Sequence, residues 1–159
     1  MNKSYDAIVI GAGSVGLPTA LFLQLKGLNV LCIEELPSPG QGQNKAAIGG
    51  VRATHSDPAK ISICLRSLEI FSKWEETWGD HIKWKKGGYC FPAFGEREET
   101  ILKNLLVIQK NNNLNIDWVG PERIKELVPG IAEDGLRGGT FSPDDGQVSP
   151  LNFSASCLK

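Results

Sequence analysis

Residues 5–35 read YDAIVIGAGSVGLPTALFLQLKGLNVLCIEE, and the fold follows from how this stretch is parsed. Ala7-Ile8-Val9-Ile10 is a short apolar, β-branched run of the kind that forms a strand buried on both faces. Gly11, Gly13 and Gly16 follow at once. A helical pattern then begins, with Val15, Leu17, Ala20, Leu21, Leu23 and Leu25 apolar and Gly27 as the stop. A second strand over residues 29–33 ends in Glu34.

The spacing G-x-G-x-x-G is weak by itself, but here a strand precedes it, a helix follows, and an acidic residue ends the next strand about 20 positions on. This is the pattern of a dinucleotide-binding βαβ unit. Gly11 permits the tight turn, Gly13 lets backbone approach a pyrophosphate, and Gly16 lets the helix pack closely on the sheet. The free N–H groups at the helix start favour phosphate oxygens. Glu34 suits a ribose hydroxyl, and its charge disfavours a 2′-phosphate and hence NADP. The alternative is an ordinary βαβ unit whose glycines only shape a turn. Pro18 falls in the first helical turn, where a missing N–H is best tolerated, so a slight adjustment and no break is expected.

The chain has 159 residues, long enough for one domain with a proper core and too short for two large ones. With 17 basic against 18 acidic residues, and no basic run longer than Lys85-Lys86, nucleic acid is an unfavoured partner. No stretch approaches the ~20 apolar residues of a membrane span. The first strand begins so early that no signal peptide is expected. Cys32, Cys64, Cys90 and Cys157 are widely spaced, without C-x-x-C, and two histidines do not make a metal cluster. Four reduced thiols in a cytoplasmic protein are expected, with Cys32 buried in the second strand and no metal.

Residues 36–54 form a long loop rich in glycine and proline, of a length that is commonly functional and a composition suited to following an extended ligand. A mobile surface loop is the other reading. Asp57-Pro58 starts a helix whose apolar face is Ile61, Cys64, Leu65, Leu68, Phe71 and Trp78, and Gly79 ends it. His55 and His81 flank this helix and read as capping or surface residues. A strand is expected over 89–93, with Pro92 marking an edge or bulge. A helix over 96–110 has the face Ile101, Leu102, Leu105 and Ile108. There follow a strand over 115–119, a short helix over 121–127 and a strand over 136–142. Asp145-Gly146 signals a turn, and Ser149-Pro150 starts a last helix.

The ordered set resembles the N-terminal part of the FAD-dependent oxidoreductases that include D-amino-acid oxidase, glycine oxidase and the sarcosine oxidases. It is most similar to the sarcosine oxidase β-subunit type. The likeness rests on IVIGAGSVGLPTALFLQLKG, Glu34, NKAAIGGVRATH, WEETWG, GGYCFPA, ERIKELVPGI and GTFSPDDGQVSP, in this order over nearly the whole chain. It implies an α/β fold: a discontinuous Rossmann-like FAD-binding βαβ domain with the beginning of an α+β substrate domain. Residues 1–86 would be the first FAD-binding segment, 87–147 part of the substrate domain, and 148–159 the start of the return.

The resemblance further implies that Gly11, Gly13, Ser14, Val15 and Gly16 cradle the FAD pyrophosphate and that Glu34 holds the adenosine ribose. Asn44, Lys45, Gly49, Gly50 and Arg52 would run beside the pyrophosphate and flavin ring. Arg52 would place a cation near the isoalloxazine, where it could stabilise anionic reduced flavin; a surface salt-bridge arginine is the alternative. Glu35 departs from the basic residue that relatives often have next to the adenine. The stretch GQNKAAIGG has no histidine for flavin attachment, so FAD is expected to be noncovalent.

The implied activity is oxidation of a secondary or tertiary amine or an amino acid such as sarcosine or glycine, by hydride transfer from substrate carbon to flavin N5. A missing C-terminal half or a second chain would complete the site and supply the substrate-carboxylate ligands. Two other functions are weighed: a noncatalytic nucleotide-binding or subunit-interface module, and an NAD-dependent dehydrogenase, which the glycine-rich loop after Glu34 disfavours.

Overall fold

The computed structural model describes residues 4–159. The chain forms two compact units, one of residues 4–50 with Trp74–Trp84 and Val148–Lys159, the other of Val51–Lys73 with Lys85–Gln147. Residues 51–73 thus group with the later part of the chain, while 74–84 and 148–159 group with the N-terminal part.

In the first unit, strand β1 (Ala7–Ile10) pairs in parallel with β2 (Val30–Ile33), Val9 opposite Cys32. Helix α1 (Gly16–Leu25) connects them and packs on both, the right chemistry for a parallel crossover. It runs unbroken through Pro18, whose position in the first turn removes no intrahelical bond. The first strand is not buried on both faces as its composition suggests. Ile8 is 58% and Ile10 86% exposed: α1 packs on this two-stranded sheet, and along β1 Ala7 and Val9 are the half-buried residues that alternate with them. Cys32 is half-buried rather than buried. A 3-10 turn, Gln43–Ala46, interrupts the long loop, which ends in β3 (Gly50–Val51).

Helix α2 (Pro58–Ser72) begins as its sequence dictates: the Asp57 carboxylate accepts the N–H groups of Ala59 and Lys60, with Pro58 at the first position. Ile61 and Leu68 are its buried residues. The single helix expected to reach residue 78 is two. The chain leaves helical geometry at Lys73 (φ −105°, ψ 4°), and a five-residue helix α3 (Trp74–Trp78) follows in the first unit. There Trp74 is buried, its indole N–H donating to Ser156 Oγ at 2.8 Å and its ring edge-on to Phe153 at 5.0 Å. Placing this ring in a different core from Ile61 and Leu68 requires the helix to break.

The second unit is built on an antiparallel sheet in the order β5 (Tyr89–Ala93), β7 (Gly138–Ser142), β6 (Asp117–Val119). Pro92 lies on an edge strand of this sheet, where a missing ladder donor does least harm. Helices α4 (Glu96–Asn111) and α5 (Pro121–Leu127) pack on the central strand. The buried face of α4 is rotated from the one expected. Leu106 and Gln109 are buried with Leu102 and Leu105 beside them, while Ile101 is 48% exposed and Ile108 is also exposed. Positions 102, 105, 106 and 109 keep the spacing i, i+3, i+4, i+7; a run with apolar residues on two adjacent stripes does not say which stripe the sheet takes. Strands β4 (Lys85–Lys86) and β8 (Gly146–Gln147) pair antiparallel. In the first unit α6 (Pro150–Ser156) ends the chain, its Ser149 cap accepting from the Asn152 N–H at 3.3 Å.

Candidate dinucleotide site

The turn from β1 to α1 shows three distinct uses of glycine. Gly11 has φ +96°, a left-handed conformation that other residues adopt only with strain. A Cβ built on Gly16 would lie 1.9 Å from the Gly11 carbonyl oxygen and 3.4 Å from Val9 Cγ1, so the helix can approach the strand only without a side chain. A Cβ on Gly13 would meet nothing within 4 Å. Gly13 therefore faces open space.

That space is a cleft of about 470 Å³ lined by Gly11, Gly13, Ser14, Val15, Gly16 and Glu34, with Gly40, Gly42, Gln43 and Asn44 from the long loop. Gly40 N–H donates to the Ala12 carbonyl at 2.9 Å, tying the loop to the glycine turn. Glu34 accepts the Ala12 N–H at 2.6 Å and the Leu36 N–H at 2.9 Å. These two bonds, that from Leu36 first, hold its carboxyl below the usual carboxylate range, so it is anionic throughout neutral pH. A carboxylate has about four acceptor sites, which leaves two for a ligand hydroxyl. The donor set fits a dinucleotide: free backbone N–H groups at a ten-residue helix, a gap where a Cβ would stand, and a fixed anion at the end of β2.

The other residues singled out in the sequence have different surroundings. Asn44 lines the cleft, but its side-chain amide donates to Pro150 O at 3.0 Å and Ser154 Oγ at 2.7 Å, fastening the loop to α6. Lys45 is exposed and does not line the cleft. Gly49 is required by close packing, since a Cβ there would lie 2.0 Å from the Val148 carbonyl oxygen. Gly50 is an exposed residue of β3.

Arg52 belongs to the second unit. Its guanidinium lies over the Phe91 ring at 5.3 Å and the Tyr89 ring at 6.0 Å, and Nη1 donates to the Thr54 carbonyl and, at 3.3 Å, to Thr54 Oγ1. Among the described residues it makes no salt bridge, and the aromatic seat fixes where its charge points. Beside it, burial and the charges of Arg52 and Lys60 lower the His55 pKa, keeping that imidazole neutral. His81 is exposed, its Nδ1 2.7 Å from Glu75 Oε2.

The sequence reading missed Asp145. The turn it was assigned to falls two residues earlier, at Pro143-Asp144, and Asp145 itself is 0% exposed. Only its two-residue separation from a buried β-strand signals this. The four cysteines are free thiols, and burial pushes that of Cys157 up to about 12. No helix among the described residues is long and apolar enough to cross a membrane.

Known proteins with the same organisation were found by sequence and by structure. A monomeric sarcosine oxidase of Streptomyces avermitilis is 34% identical over 164 residues, covering 100% of this chain and 41% of that protein. A monomeric sarcosine oxidase of a Bacillus species is 24% identical over 161 residues, covering 100% and 40%. The crystal structure of L-proline dehydrogenase from P. horikoshii superposes with a TM-score of 0.91 at 27% identity, over 99% of this chain and 41% of that one. The chain thus spans about two-fifths of the length of these relatives. Residues 6–159, nearly the full length, match the family described as FAD dependent oxidoreductase, DAO, and the chain belongs to that family.

Proposed function

We propose that this protein serves the oxidation of a small secondary or tertiary amine or amino acid, sarcosine and glycine being the first candidates, with FAD bound noncovalently. The single observation that carries the cofactor half of this reading is the contrast between Gly16, which has no room for a Cβ, and Gly13, which has nothing near it but the cleft. The substrate half is supported by the sarcosine oxidases among the relatives. FAD, when bound, supplies the two-electron acceptor for such an oxidation.

This chain's own residues hold it. The backbone N–H groups of Gly13, Ser14, Val15 and Gly16 take the pyrophosphate oxygens, and Glu34 takes the adenosine ribose hydroxyls. Asn44 keeps the long loop beside them. Arg52 supplies positive charge to the reduced flavin, its guanidinium oriented by Phe91 and Tyr89. The residues that bind the substrate lie on polypeptide outside these 159 residues, either further sequence or a second chain. The relatives, the monomeric sarcosine oxidases and a sarcosine oxidase subunit beta of Rhodobacter capsulatus alike, continue well beyond the matched segment on the same polypeptide, which supports further sequence; the subunit beta keeps a partner chain as the second reading. Four free thiols suit a reducing cytoplasm.

The native full-length protein, purified with any partner that co-purifies, tests this directly. It should be yellow, release its flavin on denaturation, and bleach anaerobically with sarcosine or glycine. Colourless protein that takes up no added FAD would sink the cofactor assignment. Flavin that stays on the denatured chain would sink noncovalent binding, and a bound flavin that no amine reduces would sink the substrate class.

A further inference from the structure

We propose that Asp145 is a positioning residue for Arg52: its carboxyl group holds one side of the arginine's seat and its main-chain carbonyl holds the other.

The seat has two sides, distant in sequence. One is the segment Arg52-Ala53-Thr54, in which Ala53 and Thr54 are buried and the Thr54 carbonyl and hydroxyl accept from the guanidinium. The other is the start of β5, where Tyr89 and Phe91, two residues apart and so on one face of the strand, present rings with centroids 6.0 Å apart. Asp145 is bonded to both. Its Oδ1 accepts the Ala53 N–H at 2.9 Å. Its main-chain oxygen accepts the N–H of Gly88 at 2.8 Å and that of Gly87 at 3.3 Å, the two residues that lead into Tyr89. Displacing Asp145 would therefore move the arginine's backbone and its aromatic platform independently.

An aspartate after a turn ordinarily points to water. This one is fully buried, its carboxyl beside the buried hydroxyls of Ser142 and Thr54. Enclosing such groups opposes folding. A residue that only closed a hairpin would not require it, whereas an acceptor that must reach the Ala53 N–H inside the unit does. The contact uses one oxygen as an acceptor and needs no negative charge, and burial raises the carboxyl pKa toward the neutral form. Asparagine can then replace aspartate in this task, and serine, too short to reach Ala53, cannot.

The geometry stands on the second unit alone; its importance for the reaction rests on the flavin role proposed for Arg52. The test uses the full-length FAD-loaded protein, with nuclear magnetic resonance of the Ala53 amide and the Arg52 Nε–H. In the unaltered protein the Ala53 amide should exchange as slowly as the amides of β7, and the Arg52 signal should be shifted by the two rings. Rapid exchange at Ala53 in the folded protein overturns the proposal without any variant. Asp145→Asn should preserve both signals. Asp145→Ser should speed Ala53 exchange by roughly tenfold or more and return the Arg52 signal toward that of free arginine. A variant that melts earlier but keeps the Arg52 signal shows a structural role only and overturns the proposal, as does an Asp145→Asn that loses it. The flavin role is separated by Arg52→Ala, which should weaken binding of reduced relative to oxidised flavin by about tenfold, a shift of about 30 mV for a two-electron couple. An unchanged potential there removes the flavin role and leaves the Asp145 assignment standing on the two signals.

Discussion

The glycine turn of the first unit and the arginine seat of the second are both built to hold a charge in place, yet they are assembled in opposite ways. The turn takes its parts from one stretch of 24 consecutive residues, Gly11 to Glu34, joined by bonds such as Ala12 N–H to Glu34. The seat draws on residues 52–54, 87–91 and 145, joined by contacts that span up to 92 positions. A site made of neighbours in sequence can be read from spacing, because the strand and helix geometry between them is fixed. A site made across a sheet cannot, because its distances exist only after the sheet has paired.

The largest effects separate two glycines of the turn. Gly16→Val should destabilise the protein by about 3 kcal/mol, since overpacking against the Gly11 carbonyl cannot be relieved by a rotamer change. Denaturant titration measures this. Gly13→Val should change stability by less than about 0.5 kcal/mol and yet weaken FAD binding by roughly a hundredfold or more. Equal destabilisation by the two, or normal FAD uptake by Gly13→Val in a fluorescence titration, would break the distinction between a packing glycine and a ligand glycine.

Next comes Asn44, where the glycine-rich loop of the first unit depends on a contact more than 100 positions away, as the arginine seat of the second does. Asn44→Ala leaves the Ser154 hydroxyl with one partner fewer and should lose about 1–2 kcal/mol in the same titration. No loss would place the loop's order in its own backbone and sharpen the view of this unit as locally encoded.

Glu34→Ala should weaken FAD by roughly tenfold, because a charge-assisted acceptor for the ribose is gone. FMN, which has no adenosine ribose, is the control. Equal weakening of both ligands would mean that Glu34 acts only by tying Ala12 to Leu36.

The smallest effect concerns the other unit's buried acid. The folded-state pKa of Asp145 is raised, so its contribution to stability is greatest below the unfolded pKa of about 3.9 and is lost as pH rises through the folded value. Asp145→Asn removes this group's share of the loss. Melting temperatures of variant and parent, compared from pH 4 to pH 8, should draw apart in favour of the variant as pH rises. A constant difference would mean that the carboxyl titrates alike in both states.

Several elements of the fold were legible for local reasons. Asp57 and Ser149 cap their helices with a proline following, Pro121–Leu127 is a helix, and Tyr89–Ala93 is an edge strand, all as the residues require. The misreadings share a cause. The break at Lys73, the rotated face of α4 and the exposure of Ile8 and Ile10 each depend on which surface an element meets, and hydrophobic periodicity reports that a face is apolar without naming its partner. Asp145 was hidden by its own chemistry, since aspartate before glycine is the ordinary composition of a solvated turn.

By itself, then, the sequence determined the βαβ unit, its glycine turn and the anion at the end of β2, because φ/ψ preference, helix capping and the two structural periods act over a few residues. Only the tertiary structure decided that Asn44 and Gly49 serve packing in the first unit, that Arg52 lies on an aromatic platform, and that a buried carboxyl holds it there. Those outcomes depend on chain segments that meet only when non-local strands pair and exclude water, so no local preference encodes them.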